Sequence, residues 1–78
     1  MSDELPEVDY DKDVYEVFVQ NVGRVHHSNS RGQAKYTFDY YVKLSKEGIG
    51  RVEGASVDFY KNEEIEDQFI GEIEANGG

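Results

Sequence analysis

The sequence predicts a single small α+β domain in which one helix packs across a four-stranded antiparallel sheet, in the order ββαββ. Two observations lead to this prediction. Apolar and aromatic residues alternate with polar ones towards both ends of the chain, as they do in half-buried strands. Between these segments, residues 31–47 combine a helical apolar spacing with a glycine at the position where helices stop. A chain of 78 residues has room for one small core and for no separate catalytic domain.

The first hairpin is predicted over residues 13–27. Tyr15, Val17 and Val19 share one face of an alternating pattern that is rich in β-branched and aromatic residues. An asparagine and a glycine then favour a reversal, after which the chain returns as a short second strand. The alternative is one continuous strand that is bulged at Gly23.

Residues 31–47 fit both a strand and a helix, because their aromatic residues alternate with polar ones and also form a helical stripe. The ends of the segment favour the helix. Ser30 is a suitable N-cap, Gly48 is suited to stop the helix, and two lysines in the last turn suit the helix dipole. The stripe consists of Ala34, Phe38, Tyr41, Val42 and Ser45.

The second hairpin depends on the interpretation of the middle segment. Residues 55–60 alternate as a half-buried strand, and a turn at 61–63 leads into 64–73, whose apolar residues fit a strand or a helix. A final strand that pairs back on 55–60 accompanies a helix over 31–47. The alternative fold is a three-stranded β-meander followed by a C-terminal helix that is capped by Asn62.

The charge of the chain is strongly acidic and unevenly distributed. Seventeen carboxylates against eight basic side chains give a net charge of −9, which disfavours non-specific attraction to nucleic acid and to anionic lipid. The first 16 and the last 16 residues each carry a net charge of −6, and the centre carries +3. We expect an acidic flexible arm over 1–12, an ordered domain over 13–74 and a flexible tail over 75–78. Solubility alone also accounts for such acidity.

Several classes of protein are disfavoured by what the sequence lacks. Cysteine is absent, so a disulfide-stapled secreted scaffold is excluded. No apolar run has the length of a membrane span, and the N-terminus is acidic where a signal peptide is basic and then apolar. We therefore expect a soluble cytoplasmic protein without a membrane partner.

The sequence contains no constellation that predicts an enzyme. The adjacent His26 and His27 would point to opposite faces of a strand, so they are poorly placed to share a metal ion. The segment from Gly48 to Arg51 is too short for a dinucleotide or phosphate-binding loop and is better suited to a helix stop. We expect a non-enzymatic protein with no catalytic residue, metal or cofactor.

One pattern resembles a known group of proteins. The chain reads YEVFVQNVGRV over residues 15–25, continues with the helical stripe given above, and then reads Gly48-x-Gly50-Arg51-x-x-Gly54-x-x-Val57. Over residues 14–71 this resembles small uncharacterised proteins of phages and other mobile elements. The resemblance implies a ββαββ fold whose helix ends at the Gly-x-Gly-Arg turn, and it implies no known activity. Ala55 departs from the pattern, which has a carboxylate after Gly54.

Two sets of residues are candidates for binding a partner. The first is a carboxylate set that could imitate phosphates and occupy a basic site on a host protein: Glu63, Glu64, Glu66 and Asp67. The second could contact phosphates and stack on bases in a nucleic acid: Arg24, Lys35, Tyr36, Tyr40, Lys43 and Arg51.

We rank first a phage or mobile-element accessory protein that binds, and inhibits, a host protein. A small nucleic-acid-binding protein is the first alternative, and a structural or assembly protein is the second. Either fold leaves an exposed edge strand that could pair with a second copy, so the sequence is also compatible with a homodimer.

Overall fold

The structure, a computed structural model, describes residues 8–72. The ββαββ prediction is confirmed, and the alternative of a meander with a C-terminal helix is wrong. Residues 1–7 of the predicted arm and the predicted tail over 75–78 lie outside the described range. The elements in chain order are β1 (Tyr15–Val19), β2 (Gly23–Ser28), α1 (Arg31–Glu47), a short 3-10 helix (Gly50–Val52), β3 (Val57–Lys61) and β4 (Glu64–Phe69).

The four strands form one antiparallel sheet in the order β2-β1-β3-β4, so β1 and β3 are central and β2 and β4 are the edges. In the centre of the sheet, Val17 pairs with Phe59 on one side and with His26 on the other. Helix α1 packs on β1, β2 and β3 and covers one face of the sheet. The domain therefore has two layers, and the other sheet face is called here the open face.

Both hairpins turn through residues with positive φ. In the second hairpin, Asn62 and Glu63 have φ angles of 52° and 71° and lie between the paired Lys61 and Glu64, which is the geometry of a type I′ turn. In the first, Asn21 has a φ of 73°. The predicted reversal is thus confirmed, and the continuous bulged strand is wrong.

The ends of α1 explain why residues 31–47 form a helix and not a strand. The Ser30 hydroxyl accepts a hydrogen bond from the backbone N–H of Gln33 at 3.2 Å, as an N-cap does. Gly48 is left-handed with a φ of 71°, and the following Ile49 donates its backbone N–H to the Leu44 carbonyl at 3.1 Å. Both predicted caps are confirmed.

The core lies between α1 and the two central strands. Val17, Val57 and Phe59 are fully buried beneath the stripe of α1, from which Ala34 and Phe38 contribute the most buried apolar side chains. Ala55 is also fully buried, and its carbonyl accepts a hydrogen bond from Ser45. Ala55 therefore contributes a methyl group to the core.

Candidate binding surfaces

The fold divides the predicted carboxylate set in two. Glu66 accepts a hydrogen bond from Arg31 at 2.6 Å, and Asp67 lies 3.6 Å from the ammonium group of Lys35. Glu63 and Glu64 form no ion pair with another described residue. Half of the predicted set is thus neutralised within the molecule.

This pairing follows from where the helix lies on the sheet. Arg31 and Lys35 are one helical turn apart, so both project from the side of α1 that faces β4. The Arg31 guanidinium also lies over the Phe59 ring, 5.4 Å from its centroid. Its hydrogen bond with Glu66 raises the pKa of Arg31 above its usual value.

The unpaired half joins carboxylates from the N-terminal segment. The Asn62 side chain accepts a hydrogen bond from the Val14 N–H at 2.9 Å and donates one to Asp13 at 3.1 Å, which places Asp13 beside the turn that carries Glu63 and Glu64. These carboxylates form a surface that we call the acidic end, consisting of Asp9, Asp11, Asp13, Glu63 and Glu64, all of them exposed.

Asn29 holds the N-terminal part of the acidic end. Its side-chain oxygen accepts from the Asp9 N–H at 2.8 Å, and its amide donates to the carbonyls of Asp9 and Asp13 at 3.0 and 2.8 Å. One asparagine after β2 and one in the β3–β4 turn therefore fix the course of residues 9–13. In the sequence, Asn29 and Asn62 stand out only as residues that are common in turns. The sequence analysis did not predict that they bind residues 9–13.

One lysine, Lys61, lies close to a carboxylate of the acidic end. Lys61 lies 3.8 Å from Asp13 and is its only ion-pair partner among the described residues. The hydrogen bond from Asn62, together with the positive charge of Lys61, lowers the pKa of Asp13 below its usual value. Asp13 therefore keeps its negative charge to a lower pH than an ordinary aspartate does.

The predicted nucleic-acid set is not brought together. Arg24 lies on the open face of the sheet and binds Glu16 at 2.9 Å, and Lys35 is engaged by Asp39 and Asp67 on the side of the helix. The side chain of Arg51 lies outside the described part of the structure. What remains is a short row on the outer surface of α1, made of Tyr36, Tyr40 and Lys43, in which the tyrosines are 74% and 48% exposed.

The open face carries an aromatic pair that sequence analysis did not single out. The rings of Phe18 and Tyr60 meet edge to face with their centroids 5.2 Å apart, and Ile65 on β4 is 51% exposed beside them. The ion pair between Arg24 and Glu16 lies next to these two rings, because Arg24 on β2 is the cross-strand partner of Phe18 on β1.

The two histidines point to opposite faces of β2, as predicted. His26 faces α1, where its ring contacts Thr37, and His27 faces Glu16 at 4.0 Å on the open face. Within residues 8–72, no group of three or more histidine or carboxylate side chains is arranged to hold a metal ion.

No family model, curated protein or solved structure matches this chain. Among the described residues, no helix combines the length and the apolar character that crossing a membrane requires. Within residues 8–72, the candidate binding surfaces described above are the acidic end, the tyrosine row of α1 and the open face.

Proposed function

We propose that this protein is a non-enzymatic accessory protein of a phage or mobile element that acts in the cytoplasm, where its acidic end binds and inhibits a host protein with a basic site. The observation that supports this is the distribution of ion pairs. Arg24, Arg31, Lys35 and Lys61 each lie within 4.0 Å of a carboxylate of the same chain. Among the described residues, these pairings leave Glu63 and Glu64 of the acidic end without a cation within 4.0 Å.

A surface of this kind favours a basic protein over other partners. A concentration of carboxylates attracts a cationic site over a distance of roughly 10 Å at moderate ionic strength and increases the rate of encounter. It repels nucleic acid and anionic lipid. A host protein that handles nucleic acid presents such a cationic site, so an acidic end seated there would compete with the phosphates of its substrate.

Two double variants with the same net charge test this proposal. Glu63→Gln/Glu64→Gln removes two carboxylates of the acidic end, and Glu66→Gln/Asp67→Asn removes two that are paired with α1. Each changes the net charge from −9 by the same two units. We expect the first variant to capture markedly less of a discrete basic protein from nuclease-treated host lysate than the second does.

The matched design separates a specific surface from bulk charge. Equal losses of capture would show that only the net charge matters, and undiminished capture by the first variant would refute the acidic end as the binding surface. Circular dichroism of both variants checks that the fold is retained, because the second variant leaves Arg31 and Lys35 without their partners on β4.

The tyrosine row supports one alternative function. Tyr36 and Tyr40 are one helical turn apart and exposed, and Lys43 continues the row, so this surface could stack on the bases of a single strand. If it does, the wild-type protein will bind single-stranded oligonucleotides at low salt and Tyr36→Ala/Tyr40→Ala will not. Binding that the double substitution leaves unchanged would rule this surface out.

A further inference from the structure

The two edges of the sheet carry opposite kinds of side chain. β4 holds three carboxylates and no cation, whereas β2 holds an arginine, two histidines and no carboxylate. Within residues 8–72, each of these strands pairs with one neighbour, so each has an edge without a partner strand. Such an edge can accept another strand, and charged side chains are a common protection against this. β4 is thus protected by charge against a second copy of itself, and β2 is not.

A bulge gives β2 a symmetrical pattern of side-chain directions. The register with β1 shifts by one residue at Val25, which is the extra residue of the bulge. Val25 packs against the core and the ring of His26 contacts α1, so both lie on the helix side of the sheet. Arg24 and His27 both lie within 4.0 Å of Glu16 on the open face. In either direction along the strand, these four residues therefore follow the order open face, helix side, helix side, open face.

This pattern suits an antiparallel pair made by two copies of β2. If a two-fold axis passes between Val25 and His26, Arg24 of each copy lies opposite His27 of the other. Residues that lie opposite each other in an antiparallel pair point to the same face of the sheet. In a regular strand this register would break that rule, because residues 24 and 27 would point to different faces. The bulge therefore allows β2 to pair with itself in this register.

Charge and available space favour this contact over a pair of β4 strands. Two copies of β4 would bring the three carboxylates of each strand together, and like charges opposite each other destabilise a sheet. In the β2 pair, the arginine of one copy meets an imidazole of the other, and no two carboxylates are opposed. A cavity of about 110 Å³ lies along β2, lined by Arg24, Val25, His26 and His27, and it leaves room for side chains of an incoming strand.

The antiparallel arrangement also keeps the acidic ends of the two copies apart. The acidic end lies where β2 finishes and β4 begins, and pairing two β2 strands antiparallel turns one copy end over end. The two acidic ends then point in opposite directions. Because β2 and β4 run in opposite directions, joining β2 to the β4 of another copy would instead set the acidic ends side by side. Two carboxylates of that β4, Glu66 and Asp67, are also already paired with α1.

We propose that two copies of this protein form a symmetric dimer in which their β2 strands pair antiparallel and join the two sheets into one. The contact consists of one strand of six residues from each copy, so the association is reversible and depends on protein concentration. The dimer presents two acidic ends, one on each side of the joined sheet. Its formation requires no other partner, so it can be measured on the purified protein alone.

Single cysteines test the contact and its register, because the chain contains no cysteine of its own. Val25 lies next to the proposed axis, with its Cα about 6 Å from that of its copy, so Val25→Cys should form a disulfide-linked dimer on mild oxidation. Arg24 lies about 10 Å along the strand from its copy, which is too far for a disulfide. Arg24→Cys should therefore stay unlinked on a non-reducing gel, although Arg24 is the more exposed residue.

A cysteine on β4 distinguishes the other arrangements. Gln68→Cys alone should stay unlinked. In a head-to-tail repeat, the rows of the sheet would place Arg24 of one copy opposite Gln68 of the next, so a mixture of Arg24→Cys and Gln68→Cys would crosslink. Crosslinking of this mixture, or of either of these two variants alone, would overturn the proposal. A Val25→Cys protein that keeps its circular dichroism spectrum and stays monomeric would overturn it as well.

Sedimentation equilibrium of the wild-type protein gives an independent measurement that needs no substitution. The apparent mass should rise with concentration from that of the 8.9 kDa monomer to twice that value, and no further. A mass that stays monomeric over the whole concentration range would contradict the β2 contact. A mass that continues to rise beyond the dimer would indicate an open-ended repeat and would contradict the two-fold symmetry.

Discussion

Gly71 offers the sharpest test of the packing. It is buried, and its N–H donates to the Ser56 hydroxyl at 2.9 Å. A Cβ at Gly71 would lie 2.5 Å from both the carbonyl carbon and the oxygen of Ala55, and closer still to the Gly54 oxygen, whereas real Cβ contacts essentially never fall below 3.0 Å. All of these atoms belong to the backbone, so no side chain can move aside, and Gly71→Ala must displace one of the two segments.

The cost can be bounded from two outcomes. If the chain after β4 detaches, the protein loses the Gly71–Ser56 hydrogen bond, which is worth about 1 kcal/mol. If the chain stays in place, the overpacking adds about 1–3 kcal/mol. We therefore expect Gly71→Ala to lower the free energy of unfolding by about 1–3 kcal/mol, and each kcal/mol corresponds to a decrease in Tm of about 4–8 °C in a domain of this size.

Urea denaturation followed by far-ultraviolet circular dichroism measures this loss. The control is Gly32→Ala, because Gly32 lies in α1 with no atom within 4 Å of an added Cβ. That substitution should raise stability by about 0.5–1 kcal/mol, since alanine loses less backbone entropy in a helix than glycine. A Gly71→Ala protein as stable as the wild type would contradict the close approach of residues 54–55 and 71.

Three further predictions follow from the fold. Ser30→Ala should cost about 1 kcal/mol in urea denaturation because the Gln33 N–H loses its acceptor, and Ser30→Asp should restore most of that loss. Phe38→Ala should cost about 3–5 kcal/mol, because this residue fills the space between α1 and Phe59, and a smaller cost would contradict its burial. Since the folded pKa of Asp13 is lowered, its contribution to stability should be present above pH 3.8 and lost as the pH falls through the folded pKa. In urea denaturation at a series of pH values, wild type should therefore be more stable than Asp13→Asn above pH 3.8, and the two should converge at lower pH.

The fold was predictable because local signals agreed with one another. The cap at Ser30 and the stop at Gly48 decided between helix and strand in a segment whose apolar pattern fitted both. Once that segment was a helix, the sheet needed two hairpins, and the ambiguous residues after Asn62 had to form a strand. The observed helix covers the predicted range, and the buried faces of β1 and α1 are those that the periodicities indicated.

The surfaces were less predictable because they depend on contacts between distant residues. Arg31 and Glu66 are 35 positions apart, and no local pattern shows that they meet. The predicted carboxylate set was defined by proximity in sequence, but on β4 the alternation of side chains and the position of α1 determine which members find a cation. For the same reason, Arg24 on the open face is not brought together with Tyr36 and Tyr40 of α1, although the sequence analysis placed all three in one candidate set.

These contacts also change how the net charge of the protein is interpreted. If the net charge of −9 were spread evenly over the surface, its main effect would be to keep the protein soluble. Here the ion pairs with Arg31 and Lys35 neutralise part of β4, whereas Asn29 and Asn62 hold residues 9–13 next to the turn that carries Glu63 and Glu64. Solubility requires no such arrangement, because an unattached acidic segment would provide it equally well. The two asparagines are therefore the strongest structural reason to seek a partner at this end of the sheet.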